Sequence, residues 1–356
     1  GRSFEYFWNN ETEAGVRDRV YLDYNATAPL RAEAKAAMLK AMDVVGNPSS
    51  VHSEGRAAKA MVEKARGQIA AAVGCKREEI VFTSGATEAA RVLSAWRDQG
   101  VEVDPTAHDA VWAQHSPSLS PAVRAYGLAN SETGVLTVPE SGGGLTFLDV
   151  TQAVGRVPFS FSWSGADMAV LSAHKLGGPK GVGALLIKQG LDIAALAEGG
   201  GQEMGRRSGT ENIIGIAGFG AAAEAAQRDL ETGVWARAKR LRIILESAIE
   251  DSPAAPIIVG QEVDRLPNTS CIIAPGWRGE TQVMAMDLAG FAISAGSACS
   301  SGKVKTSRVL TAMGFGQMHA SSAIRFSLGP DTTEDEVMRF AQAWTSQYAK
   351  YRARAA

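Results

Sequence analysis

Apolar residues along this chain fall into short runs punctuated by glycine- and proline-rich turns, with helical periodicity between the runs. In residues 53–73, Ala57, Ala60, Met61 and Ala65 recur at three- and four-residue spacing, which predicts a helix. Tyr21 to Leu30 reads as a short extended segment and turn, and Pro29 opens a second helix over 31–45. Residues 79–83, 100–103, 123–128, 145–148, 168–172 and 183–187 are compact apolar runs that predict strands. Ser84 to Glu88 turns from the first of them into a helix reaching about Arg97. Alternation of strand, turn and helix predicts an α/β sheet, mainly parallel. Residues 214–249 read as one long helical stretch, and Pro253 to Pro256 breaks the pattern. Three parts follow: a polar extension over 1–20, a large unit over 21–255, and a compact α+β unit over 256–356 closing on a charged helix from Thr333.

Charge and cysteine usage narrow the function classes. The 36 Lys and Arg nearly balance 38 Asp and Glu, which argues against a nucleic-acid or anionic-membrane partner. No apolar run is long enough to span a bilayer, and the first twenty residues lack the apolar centre of a signal peptide. Cys75, Cys271 and Cys299 are odd in number and widely separated. That speaks against a disulfide framework or a metal site, and for a reducing, cytoplasmic setting.

The candidate chemistry centres on Lys175. It follows Ser172 and His174, precedes a glycine-rich turn, and lies between two apolar runs. Desolvation lowers the pKa of a lysine, and a neutral amine attacks carbonyls. The aldehyde that fits such a lysine is pyridoxal phosphate, with Ser172, His174 and glycine amides as phosphate ligands. The alternative is a surface lysine in a Gly-Pro hairpin.

Four further segments, and Arg325, bear on the choice. Thr83 to Glu88 ends a strand in small residues, so the Ala86 main chain and the Thr87 hydroxyl make an anion site or an ordinary helix start. Asp149 closes a hydrophobic strand, where it serves as the anion beside a pyridine nitrogen or as an N-cap. Gly199 to Thr210 is basic and glycine-rich, either a phosphate-reaching loop or a solvated one. Cys299 sits among Gly, Ala and Ser, the setting of an accessible nucleophile or of an incidental thiol. Arg325 alternates with apolar neighbours, and grips either a substrate carboxylate or an internal acid.

Taken in order, Tyr21 to Pro29, Gly46 to His52, Ser84 to Glu88, Ser172 to Lys175, Arg207 to Thr210 and Gly296 to Cys299 resemble the class V aminotransferase family, specifically its cysteine desulfurases. The resemblance runs from Tyr21 to about Gly329. It implies PLP-dependent fold type I: a mainly parallel mixed sheet flanked by helices, plus a small α+β C-terminal domain. It implies that Lys175 holds pyridoxal 5'-phosphate covalently, that His108 stacks on its ring, and that Asp149 and Gln152 meet the ring nitrogen and phenolic oxygen. Ala86, Thr87, Ser172 and His174 would hold the phosphate, with Thr210 reaching across from the second subunit of a homodimer. Arg325, Asn25 and Ser131 would line the site for L-cysteine, and Cys299 would take its sulfur for an acceptor protein such as an iron–sulfur scaffold. Ser131 departs from the family, which usually has Asn-Asn-Glu at Asn130 to Glu132. The segments after His108 and Gly134 are short, and His115 lies in the first of them. Other enzymes of the same fold, a transaminase or a selenocysteine lyase, compete with this reading. So does a trimmed, non-catalytic assembly paralogue.

Overall fold

The structure, a computed structural model, describes residues 19–296 and 306–356. Its strands are β1 (Val20–Tyr21), β2 (Ile80–Thr83), β3 (Val101–Val103), β4 (Val123–Gly127), β5 (Leu145–Asp149), β6 (Met168–Ser172), β7 (Gly183–Ile187), β8 (Ile257–Ile258), β9 (Thr269–Ile273), β10 (Phe291–Ala292) and β11 (Ala323–Ser327). The main sheet has six strands in the order β2-β7-β6-β5-β4-β3. Strands β3 to β6 run parallel, while β7 is antiparallel to both β6 and β2. This is the mainly parallel mixed sheet expected.

Strands β6 and β7 are buried at every position. Helices cover both faces of such a sheet, so its strands read as unbroken apolar runs. On one face Phe82, Leu171, Ala184 and Leu186 pack with Ile69 and Val73 of the Ser53–Val73 helix and Phe219 of the Ile213–Glu231 helix. On the other, Val81, Val170, Leu185 and Ile187 pack with Leu93 and Val111. Phe219 is fully buried. Its truncation to Ala would cost about 3–5 kcal/mol, lost transfer energy plus a cavity.

The Ser53–Val73 helix forms as the pattern predicts. His52 caps it by accepting from the Gly55 amide at 3.2 Å, and Gly74 ends it in the left-handed region. The helix expected up to Arg97 is one α-turn, Ala86–Ala89, followed by a 3-10 stretch over Ala90–Gln99. The single helix expected over 214–249 is instead two, Ile213–Glu231 and Val234–Glu250. Between them Gly233 adopts φ +78, which a residue without Cβ does at little cost.

The second of those helices gives Leu241, Leu245 and Ile249 to a separate core. That core covers the antiparallel sheet β11-β9-β8 and includes Ile272, Phe326, Phe340 and Trp344. The Glu334–Ala355 helix closes it, with Thr333 and Glu336 forming a reciprocal capping box. The start of the described chain joins this core too: β1 pairs with β10, and Leu22 is buried there. The chain then crosses at Asp23 to Thr27 toward the main sheet. That crossing brings both cores to one cavity.

Candidate active site

A cavity of about 260 Å³ opens at the carboxyl ends of β4, β5 and β6, where Gly127, Asp149 and Ser172 line it. Open α/β sheets bind ligands at this edge. The register sets Gly127 opposite Asp149 and Ser172 opposite Gly183. Gly183 must be glycine: a Cβ would lie 2.7 Å from the Gly85 Cα, displacing the turn that carries Ala86 and Thr87.

Lys175 enters the cavity from the turn after β6. Its Nζ donates to the carbonyl oxygens of Asn25 at 2.6 Å and Ala26 at 2.9 Å. Burial, with Arg325 and Arg156 nearby, brings its pKa down to about 8, against the opposing pull of Asp149 and Asp23. A sizeable fraction of the amine is therefore neutral near pH 8.

Beside it, the Ser172 hydroxyl accepts from the Ala86 amide at 2.8 Å. The His174 Nδ1 hydrogen-bonds the Thr27 hydroxyl at 3.0 Å. Burial and the Lys175 charge push the His174 pKa down to about 4, so the imidazole is neutral at pH 7. Ala86 and Thr87 line the same end. Two hydroxyls and an imidazole gathered there suit a phosphate.

Asp149 accepts from the Thr151 amide at 3.0 Å through one carboxylate oxygen. His108 caps the Asp109–Trp112 turn by accepting from the Ala110 amide at 3.1 Å, and its ring borders the cavity. His115 does not line it: its ring stacks on Trp112 at 4.5 Å and its Nδ1 accepts from Val103. Gln152 lines the cavity with its amide already engaged, donating to the Asn25 carbonyl and accepting from Arg156.

Arg325 faces these groups from β11. It donates to the Ser131 carbonyl at 2.9 Å and pairs with Asp23 at 2.8 Å, and its Nε is buried without a partner. Ser131 thus meets Arg325 through its main chain. Asn25 is buried and fully used: its amide donates to Ser131 and Thr269, and its Oδ1 accepts from Arg156 at 2.6 Å.

Thr210 is exposed and does not line this chain's cavity. Cys299 lies outside the described residues. The residues that flank 297–305 are tied to the cavity wall. The Ser307 hydroxyl donates to Glu132 at 2.6 Å, and a Cβ on Gly296 would sit 2.7 Å from the same carboxylate. Arg308 reaches the Pro105 and Ala107 carbonyls and Asp109. Sequence reasoning missed two participants. Asp23 is the partner of Arg325, and Arg156 is a buried guanidinium behind Lys175. The available signal for Arg156 was its place four residues beyond Gln152.

The residues fit pyridoxal phosphate. The cavity offers a depressed lysine amine, a carboxylate, and two buried polar atoms without partners, Thr151 Oγ1 and Arg325 Nε. Unpartnered buried polar atoms are costly unless a ligand meets them. Among the described residues no cluster of His, Cys, Asp and Glu could hold a metal ion, and no helix is long and apolar enough to cross a membrane.

Comparison with known proteins gives the same direction. The profile of the class-V aminotransferases matches residues 20–108 and 118–340. A cysteine desulfurase of Cereibacter sphaeroides is 38% identical, over 90% of this chain and 94% of its own. The cysteine desulfurase IscS of Dictyoglomus turgidum is 33% identical, over 90% of this chain and 92% of its own. A NifS-like protein from Rickettsia africae superposes with a TM-score of 0.85 at 30% identity, covering 93% of this chain and 99% of that one. With a family profile matched over most of its length, the chain belongs to the class-V aminotransferase family.

Proposed function

We propose that the chain is a pyridoxal-phosphate-dependent cysteine desulfurase that converts L-cysteine to L-alanine and holds the sulfur as a persulfide on Cys299. One observation carries the reading: the Lys175 amine and the Arg325 guanidinium share a cavity with Asp149 and the Ser172–His174 end. Relatives that bear the name cysteine desulfurase along nearly their whole length supply the substrate.

When bound, the cofactor supplies an electron sink that weakens bonds at the substrate Cα. Ala86, Thr87, Ser172 and His174 would hold its phosphate, Lys175 its aldehyde carbon, Asp149 its ring nitrogen, and His108 one ring face. Gln152 would approach the phenolic oxygen with its remaining amide hydrogen. Arg325, whose Nη1 and Nη2 each hold one partner and whose Nε holds none, would supply the donors for the substrate carboxylate. Lys175 Nζ is the base that takes the Cα proton.

The Cys299 thiolate then forms an S–S bond with the substrate Sγ as the Cβ–Sγ bond breaks. Cβ takes up a proton to become a methyl and Cα regains the proton held by Lys175, so the carbon skeleton leaves as alanine. The sulfur pair is oxidised as Cβ is reduced, so no external oxidant enters. Cys75 and Cys271 are poor candidates for this step: burial pushes Cys75 up to about 12 and Cys271 higher still. Cys299 lies three residues after Gly296 in the sequence. An acceptor protein, such as an iron–sulfur scaffold, would collect the sulfur. The exposed Thr210 favours a homodimer in which it completes the partner's phosphate site. The two described cysteines are free thiols, which favours a reducing, cytoplasmic setting.

The test is Cys299→Ser. It keeps the visible absorbance of the bound cofactor and loses both persulfide and sulfide release. A variant that desulfurates cysteine at the parent rate overturns the assignment.

A further inference from the structure

Arg156 is 4% exposed and has no carboxylate among its hydrogen-bond partners. Nη1 donates to Asn25 Oδ1 at 2.6 Å and Gln152 Oε1 at 2.7 Å. Nη2 donates to the carbonyls of Lys175 at 2.9 Å and Tyr24 at 3.4 Å. Desolvating a guanidinium without a counter-ion is costly, and an apolar side chain of similar length would fill the space more cheaply. The acceptors explain what the charge achieves there. Asn25 gives its carbonyl to the Lys175 amine, Gln152 donates to that same carbonyl, and the third acceptor is the Lys175 main chain. One planar fork therefore ties together the three segments that surround the lysine.

We propose that Arg156 is a positioning residue for Lys175, fixing the carbonyl cradle of the amine and holding a positive charge behind it. This rests on the reading of Lys175 as the cofactor lysine. The charged groups acting on the amine are Arg156, Arg325 on β11, Asp149 at the end of β5 and Asp23 in the crossing segment. His174, beside it, is neutral at pH 7. Arg31 and Arg325 are the cations acting on Arg156 itself. No acid among these contacts the guanidinium.

The two parts of the role separate by substitution. Arg156→Lys keeps a charge, but an ammonium cannot span four acceptors. Arg156→Met removes charge and fork together. The experiment uses cofactor-free protein: trace acetylation of Lys175 is followed against pH by peptide mass spectrometry, and pyridoxal phosphate affinity is titrated separately. The parent inflection lies near pH 8. Arg156→Met should move it up by about one pH unit or more, since a nearby like charge is gone. Arg156→Lys should leave the inflection in place while weakening cofactor binding at least ~10-fold. A merely structural residue would lower stability without moving the inflection. A folded Arg156→Met with the parent inflection overturns the proposal. Should that variant fail to fold, Arg156→Lys with parent cofactor affinity overturns it. Neither readout needs cysteine turnover, so a failed Cys299→Ser test leaves this result standing, and the converse holds.

Discussion

Arg325 and Asp23 are ion-paired at 2.8 Å across the meeting of the two cores, yet the pair leaves the arginine Nε buried and unsatisfied. Asp23 thereby orients the guanidinium beside the cavity that Arg325 lines. Hydrogen bonds to charged groups are worth about 1.5–3 kcal/mol. Arg325→Lys should therefore raise the KM for cysteine by roughly 10–100-fold with a smaller change in kcat. Steady-state alanine formation checks it, and an unchanged KM would place the substrate carboxylate elsewhere.

Asp149 is held by the Thr151 amide, so an amide of the same shape keeps the turn. What Asp149→Asn removes is the negative charge that the proposed contact with the ring nitrogen needs. Loss of one preorganised electrostatic partner costs about 10²–10³-fold in kcat. Cofactor content, read from the visible band, should change far less than turnover.

On the proposed reading the Lys175 amine meets the cofactor aldehyde, and an amine reacts only when neutral. With its pKa lowered to about 8, the rate of cofactor loading should rise as pH passes through 8 and level off above. Stopped-flow absorbance on cofactor-free protein measures this. An inflection near the ordinary lysine value would mean that the amine is solvated.

His174 carries a different pH signature. Its pKa is lowered to about 4 in the folded chain, so between pH 6.5 and 4 the unfolded chain binds the proton first. Acidification through that window weakens the fold through this residue. The denaturation midpoint of the parent should fall more steeply over the window than that of His174→Gln. Parallel curves would show that the imidazole is not desolvated.

The strands were legible because a sheet covered on both faces leaves a plain mark. Met168 to Leu171 and Ala184 to Ile187 are apolar throughout, and all are buried. The Ser53–Val73 helix was legible from its periodicity and its cap. The break at Gly233 was not. Apolar spacing continues on either side, and only a backbone angle separates a helix packed on the main sheet from one packed on the second core. The site followed the same rule. Lys175, Asp149, Ser172 and Arg325 sit at strand ends or on strands, where a short motif fixes their placement. Asp23 and Arg156 act through contacts to residues 302 and 131 positions away, and no local pattern announces such partners.

Covalent attachment of the cofactor to Lys175 is read by borohydride reduction of the loaded protein followed by peptide mapping. A pyridoxyl group is expected on the peptide containing Lys175, and none on that peptide in Lys175→Ala. An adduct on another lysine, or no adduct in a protein that still releases alanine from cysteine, would contradict it.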